Sequence, residues 1–156
     1  MISPTVRLIR CEPWAPPVTY TMGSAGSSPK RRQRYALRGY VGDELRDVYA
    51  AAGLVVGRSG AGTVNECLHL GKPAIYIPLP GASGDEQTAN ARLVEAAGGG
   101  VLLPQMSLTA AVLLDAVKRL VADRVALRAM GERARGLAVP DAAERIARLI
   151  CEVARP

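Results

Sequence analysis

Phenylalanine is absent, and with one Trp and five Tyr the aromatic share is only 4%. The core must therefore be built from Ala, Val, Leu and Ile, and the chain offers no aromatic platform for stacking nucleobases. Histidine occurs once, at His69, and cysteine three times, at Cys11, Cys67 and Cys151, far apart and with no CxxC pair. That spacing excludes a zinc ribbon, and the odd count reads as reduced thiols, with Cys67 expected inside as a small hydrophobe. No apolar run approaches the roughly 18 residues of a membrane-spanning helix. Met1 to Arg10 lacks the apolar stretch of a secretory signal. No GK[ST] closes a Walker A loop, and there is no GxGxxG, nucleophile elbow, Asp-x-Asp or metal-ligand cluster.

What remains is a chain of 156 residues, 49% hydrophobic and 22% charged. That size fits one domain, and that composition folds. Lys and Arg outnumber Asp and Glu by 20 to 14, a formal charge of +6. Such a balance favours anionic partners: phosphorylated small molecules, an acidic membrane face or nucleic acid. Nucleic acid is the weakest of these. The one dense basic run, Lys30-Arg31-Arg32-Gln33-Arg34, has no interleaved aromatics and no helix-turn-helix spacing. It reads as a solvated loop, with membrane contact as the alternative.

Residues 1–34 show little organisation beyond one strand at Val18 to Met22, stopped by a Gly- and Ser-rich loop. A second short strand is expected from Tyr35 to Val41 and a helix from Asp43 to Ala52. An apolar strand, Gly53 to Gly57, precedes a helix from Ala61 to Leu70, which Gly71-Lys72-Pro73 ends. Ala74 to Pro78 is apolar throughout, as in a strand buried on both faces. A helix from Asp85 to Ala97 and a strand at Val101 to Leu103 follow. The last third reads as three helices: one capped by Ser107, one from Ala126 to Arg135, and one opened by Asp141 and Glu144 at capping-box spacing. Strands alternating with helices predict an α/β fold with a mostly parallel, doubly wound sheet.

Ligands of such sheets bind beyond the carboxyl ends of the strands. The junction Gly57-Arg58-Ser59-Gly60-Ala61-Gly62-Thr63 brings glycines and free helix N–H groups together, which suits a phosphate. It also reads as a plain turn. Glu66, one turn further on, can accept from a ribose diol, or be an ordinary helix glutamate. Asp85 and Gln87 at the next junction suit sugar hydroxyls, or a helix cap and a solvated amide. His69 falls at the far end of its helix, where a structural or solvated role is expected rather than a general base.

Four blocks follow one another in order: Asp47-Val48-Tyr49-Ala50-Ala51-Ala52, Arg58 to Glu66, Gly71 to Pro78, and Asp85-Glu86-Gln87-Thr88-Ala89-Asn90-Ala91. With Pro140 to Ile146 they resemble the C-terminal, nucleotide-sugar-binding half of the MurG glycosyltransferases of glycosyltransferase family 28. The resemblance covers residues 35–153. It implies a Rossmann-like domain over 35–156, one half of a GT-B enzyme. Its two-domain relatives are inverting transferases that move N-acetylglucosamine from UDP to lipid I, giving lipid II for peptidoglycan.

Carried over, the resemblance places uracil at Val41 with Leu45 beside it, and the diphosphate over Ala61, Gly62 and Thr63, with Ser59 and Gly60 as further substrate-binding residues of the same junction. The ribose falls to Glu66 and the amino sugar to Glu86 and Gln87, with Asp85 beside them as a substrate-binding residue. It implies no cofactor, no metal and no catalytic residue in this chain. The catalytic base and the membrane patch would lie in a missing acceptor domain or partner subunit, working on an undecaprenyl-linked acceptor. Localisation is expected to be cytoplasmic, peripheral on the inner membrane face. The alternatives are a stand-alone soluble subunit of a two-subunit UDP-N-acetylglucosamine transferase and a non-catalytic UDP-sugar-binding domain.

Overall fold

In the computed structural model the described residues are 41–154. The strand expected at 18–22, the basic run at 30–34 and most of the strand expected at 35–41 lie outside them. Val41 itself is in no regular element.

Three parallel strands, β1 (Val55–Gly57), β2 (Ala74–Tyr76) and β3 (Gly100–Leu102), form a sheet in sequence order. β1 and β2 pair Val55 with Ala74 and Gly57 with Tyr76, and β2 and β3 pair Ala74 with Gly100. The helices are α1 (Leu45–Ala51), α2 (Ala61–Leu70), α3 (Glu86–Ala96), α4 (Ala110–Ala122), α5 (Arg124–Arg135) and α6 (Ala142–Val153).

Alternate strand residues feed two different cores. Val55, Ala74 and Tyr76 point to the face covered by Tyr49 and Ala52, by Val64, Cys67 and Leu68, and by Ala91, Val94 and Ala134. Val56, Ile75, Ile77 and Val101 point the other way, where Ala116, Leu113, Val117 and Leu120 of α4 cover them. Helices on both faces explain the unbroken apolar run of the central strand β2, whose three residues are all buried. The expected parallel α/β architecture is present.

α2 starts and ends where its punctuation places it. Gly71 takes the left-handed conformation (φ 59°) that suits glycine, and Lys72 N–H returns to the Cys67 carbonyl at 2.8 Å. Beyond the turn, Lys72 Nζ donates to the Ala50 and Ala52 carbonyls, both at 3.1 Å, tying the end of α1 to the end of α2. α5 lies across the same turn. Gly131 comes so close that a Cβ there would sit 2.4 Å from the Gly71 carbonyl oxygen.

Three helix starts differ from the expectation. Ser107 does not cap α4, because the tight turn Gln105–Ser107 after Pro104 takes it up, and its hydroxyl donates to the Pro104 carbonyl. Thr109, with extended backbone, accepts from Val112 N–H at 3.2 Å instead. Asp141 stands at the start of α6 but makes no side-chain cap bond, so the capping box is not formed. Its ψ of 16° is not the extended backbone from which a cap reaches back to the helix amides. α5 begins two residues earlier than expected, with Asp123 accepting from Val125 and Ala126 N–H.

The periodicity of α6 is as read, but its apolar row is uncovered. Ile146, Leu149, Ile150 and Val153 are all at least 59% exposed.

Candidate functional site

All three strands end on the same side, and the loops after them carry the polar groups. β1 leads through Arg58, Ser59 and Gly60 into α2. Gly60 is the N-cap, extended at φ −62° and ψ 153°, with no side chain capping the helix. The first amides of α2, at Ala61, Gly62 and Thr63, therefore keep their hydrogen-bonding capacity, and the helix dipole adds positive potential there. Ala61 and Gly62 are exposed. An uncapped, exposed helix start of this kind can receive an anion on backbone groups alone.

Arg58 holds the loops together. Its Nη1 donates to the Ile77 and Pro78 carbonyls after β2, at 3.0 and 3.2 Å, and to Gln105 Oε1 after β3. One side chain from the end of β1 thus ties all three post-strand segments. Ser59 is wholly buried, and its hydroxyl has no hydrogen-bond partner among the described residues.

Glu66 is exposed on α2, one turn beyond the free amides, and its Oε2 accepts from the Tyr49 hydroxyl at 2.8 Å. Tyr49 is buried on α1. Leu45, one turn earlier on α1, packs half-buried at the edge of the same core, and Val41 is half-buried ahead of it.

After β2 the chain runs through Gly84 and Asp85, both left-handed at φ 61° and 55°, into α3. Asp85 is the N-cap of α3 by position, but its side chain makes no cap bond. Asp85 and Glu86 are exposed. Gln87 Oε1 accepts from Leu79 N–H at 3.0 Å, which turns the NH2 of the same amide into the available donor. Asn90 Nδ2 donates to the Ser59 carbonyl at 3.1 Å, joining the second junction to the first.

Ser59 to Thr63 and Asp85 to Gln87 thus lie on the loops and helix starts at one end of the sheet, with Glu66 a turn further along α2. His69 does not. It sits in the last turn of α2, about 12 Å from Ala61 by helix rise, exposed, with Nδ1 at 2.9 Å from the Asn65 carbonyl. Beneath α2, Cys67 is fully buried against Tyr76, and burial pushes its thiol up to about 11. Burial, with the neighbouring Cys67, also raises the Tyr76 phenol well above its ordinary value.

Sequence reasoning did not single out Tyr49, Arg58 or Asn90. One signal was available: Gln87 and Asn90 are three apart on α3 and share a face, so a polar pair there faces the loops.

A family model described as the glycosyltransferase family 28 C-terminal domain matches residues 17–146. The chain belongs to this family. Among curated relatives, a protein of Alkalilimnicola ehrlichii is 49% identical over 113 residues, 72% of this chain and 32% of its own length. One from Rhodospirillum rubrum is 46% identical over 112 residues, 72% of this chain and 28% of its own length. Both are named UDP-N-acetylglucosamine--N-acetylmuramyl-(pentapeptide) pyrophosphoryl-undecaprenol N-acetylglucosamine transferase.

Of solved structures, Acinetobacter baumannii MurG superposes with a TM-score of 0.69 at 30% identity, over 76% of this chain and 33% of that one. A glycotransferase of kitacinnamycin gives 0.55 at 25% identity, over 80% and 32%. This family 28 domain is Rossmann-like, as the parallel sheet with helices on both faces shows. It spans about a third of the length of the curated relatives it matches. No helix among its described residues is long and apolar enough to cross a membrane.

Proposed function

We propose that this domain binds the UDP-N-acetylglucosamine donor of an inverting N-acetylglucosaminyltransferase whose acceptor is an undecaprenyl-linked sugar. The observation that carries the reading is the placement of Glu66, hydrogen-bonded and exposed, one turn beyond the uncapped start of α2. A nucleoside diphosphate needs those two features at about that separation: amides for the diphosphate and a carboxylate for the ribose.

In the reaction, the acceptor hydroxyl attacks the anomeric carbon while a base takes its proton, and the bond to UDP breaks with inversion. The residues here act on the leaving group. The amides of Ala61, Gly62 and Thr63 meet the charge that develops on the diphosphate as that bond breaks. Glu66 holds the ribose, the Gln87 NH2 donates to a sugar oxygen, and Val41 and Leu45 flank the base. Asp85 and Glu86 are placed to accept from sugar hydroxyls.

The base itself comes from an acceptor-binding part, since His69 is on the wrong end of α2. That part would bring the enzyme to the inner membrane face, where its acceptor lies.

Calorimetric titration with UDP and UDP-N-acetylglucosamine in EDTA tests the donor site. Binding without a divalent cation is expected, and a strict requirement for magnesium or manganese would overturn the reading. Incubation with labelled donor and lipid I tests the division of labour. Product is expected only when an acceptor domain is supplied; product from this chain alone would show that a base has been overlooked.

A further inference from the structure

We propose that Tyr49 is a positioning residue for ribose recognition: by donating to Glu66 Oε2 it fixes the carboxylate and leaves Oε1 for the ribose hydroxyls. The inference rests on the donor-site reading above, because it requires a ribose at Glu66.

Glu66 lies on the exposed face of α2, where three rotatable bonds would spread its carboxylate over many positions. Tyr49 is different. Its ring is 7% exposed and belongs to the core that also holds Val64, Cys67 and Tyr76. A ring packed in that core has one orientation, so its hydroxyl points one way. The bond to Glu66 Oε2, at 2.8 Å across 17 residues of sequence, transfers that rigidity to an otherwise mobile acid. A phenol-to-carboxylate bond is charge-assisted and among the stronger kinds. A carboxylate has acceptor capacity to spare, so binding Tyr49 does not disable it. It arrives at the ligand already oriented, and less conformational freedom is lost on binding.

Leu45 adds a second consequence. It is four residues before Tyr49 and on the same face of α1. The helix that flanks the base is therefore the helix that orients the ribose acid, and the two contacts move as one body.

The rival explanation is that the bond only satisfies a half-reached phenol and matters to stability alone. Tyr49→Phe separates the two, since it keeps the ring and removes the donor. UDP and 2′-deoxy-UDP are titrated into wild type, Tyr49→Phe, Glu66→Ala and the double variant, with thermal melts of each. The expectation is a three- to tenfold loss of UDP affinity in Tyr49→Phe and a smaller loss for 2′-deoxy-UDP. In the Glu66→Ala background, Tyr49→Phe should change nothing further. Wild-type UDP affinity and wild-type preference in Tyr49→Phe, with Glu66→Ala impaired, would overturn the inference and leave the donor site standing. An equal loss in both backgrounds would overturn it too, as an effect of general stability. UDP affinity unchanged in Glu66→Ala would remove both the inference and the ribose assignment.

Discussion

Asn90 and Ser59 are 31 residues apart and meet through one bond, from Asn90 Nδ2 to the Ser59 carbonyl oxygen at 3.1 Å. The loop that presents the amides of α2 is thereby fastened to α3, which carries Gln87. The backbone amides of one junction and the Gln87 side chain of the next are held in one frame.

Asn90→Asp replaces that donor with a carboxylate facing a carbonyl. The lost bond is worth about 0.5–1.5 kcal/mol, and the new repulsion adds to it. Lower melting temperature together with weaker UDP binding is expected, with Asn90→Ala intermediate. Full UDP affinity in a folded Asn90→Asp protein would show that the loop does not depend on this bond.

Ser59 gives the opposite combination. Its buried hydroxyl has no partner among the described residues, so folding gains nothing from it until a ligand supplies one. Ser59→Ala should leave the melting temperature unchanged or raise it slightly. If the hydroxyl donates to a phosphate oxygen, UDP affinity falls about tenfold, the size of a charge-assisted bond. A lower melting temperature with unchanged affinity would place the role of Ser59 in packing.

Cys67 makes stability depend on alkaline pH. Its thiol is pushed from 9.0 to about 11 in the folded chain, chiefly by burial. Below pH 9 both folded and unfolded thiols are protonated and nothing is lost. Between pH 9 and 11 the unfolded chain gives up its proton first, so stability falls as pH rises, by at most roughly 2–3 kcal/mol. The raised Tyr76 phenol acts in the same direction at still higher pH. Urea melts of wild type and Cys67→Ala at pH 8, 9.5 and 11 measure this. The variant should lose less over that range, and equal losses would assign the effect elsewhere.

Two glycines of similar sequence character should respond oppositely to alanine. At Gly131 a Cβ would fall 2.4 Å from the Gly71 carbonyl oxygen, so α5 must shift. Overpacking of that kind costs about 1–3 kcal/mol, more than the helix propensity regained. At Gly62 a Cβ would meet nothing within 4 Å, and the residue is helical. Gly62→Ala should raise the melting temperature while Gly131→Ala lowers it; thermal melts of the two side by side decide.

The legible parts of the fold were those with local punctuation. α2 was bounded by a glycine-rich start and by Gly71-Lys72-Pro73, and both ends behave as that chemistry dictates. β2 was legible because burial on two faces leaves an unbroken apolar run. Ser107 and Thr109 were harder: both can cap, and only the turn after Pro104 decides between them. Asp141 had cap spacing without cap backbone. At the site, the strand-to-helix junctions were visible as glycines and acids. Their supports were not, because Tyr49 to Glu66, Asn90 to Ser59 and Arg58 to Gln105 span 17, 31 and 47 residues and leave no spacing signature.

α6 carries one more consequence. Its 12 residues are near the length at which a lone helix in water is marginal, because nucleation is costly and few backbone bonds offset it. Its apolar row gains little desolvation energy, since Ile146, Leu149, Ile150 and Val153 remain mostly in solvent. Helix–coil equilibrium, rather than the folding of the sheet, then sets how much of residues 142–153 is helical at any moment. A surface that buries that row would shift the equilibrium toward helix, so backbone order at the end of the chain becomes a gauge of whether that surface is in place.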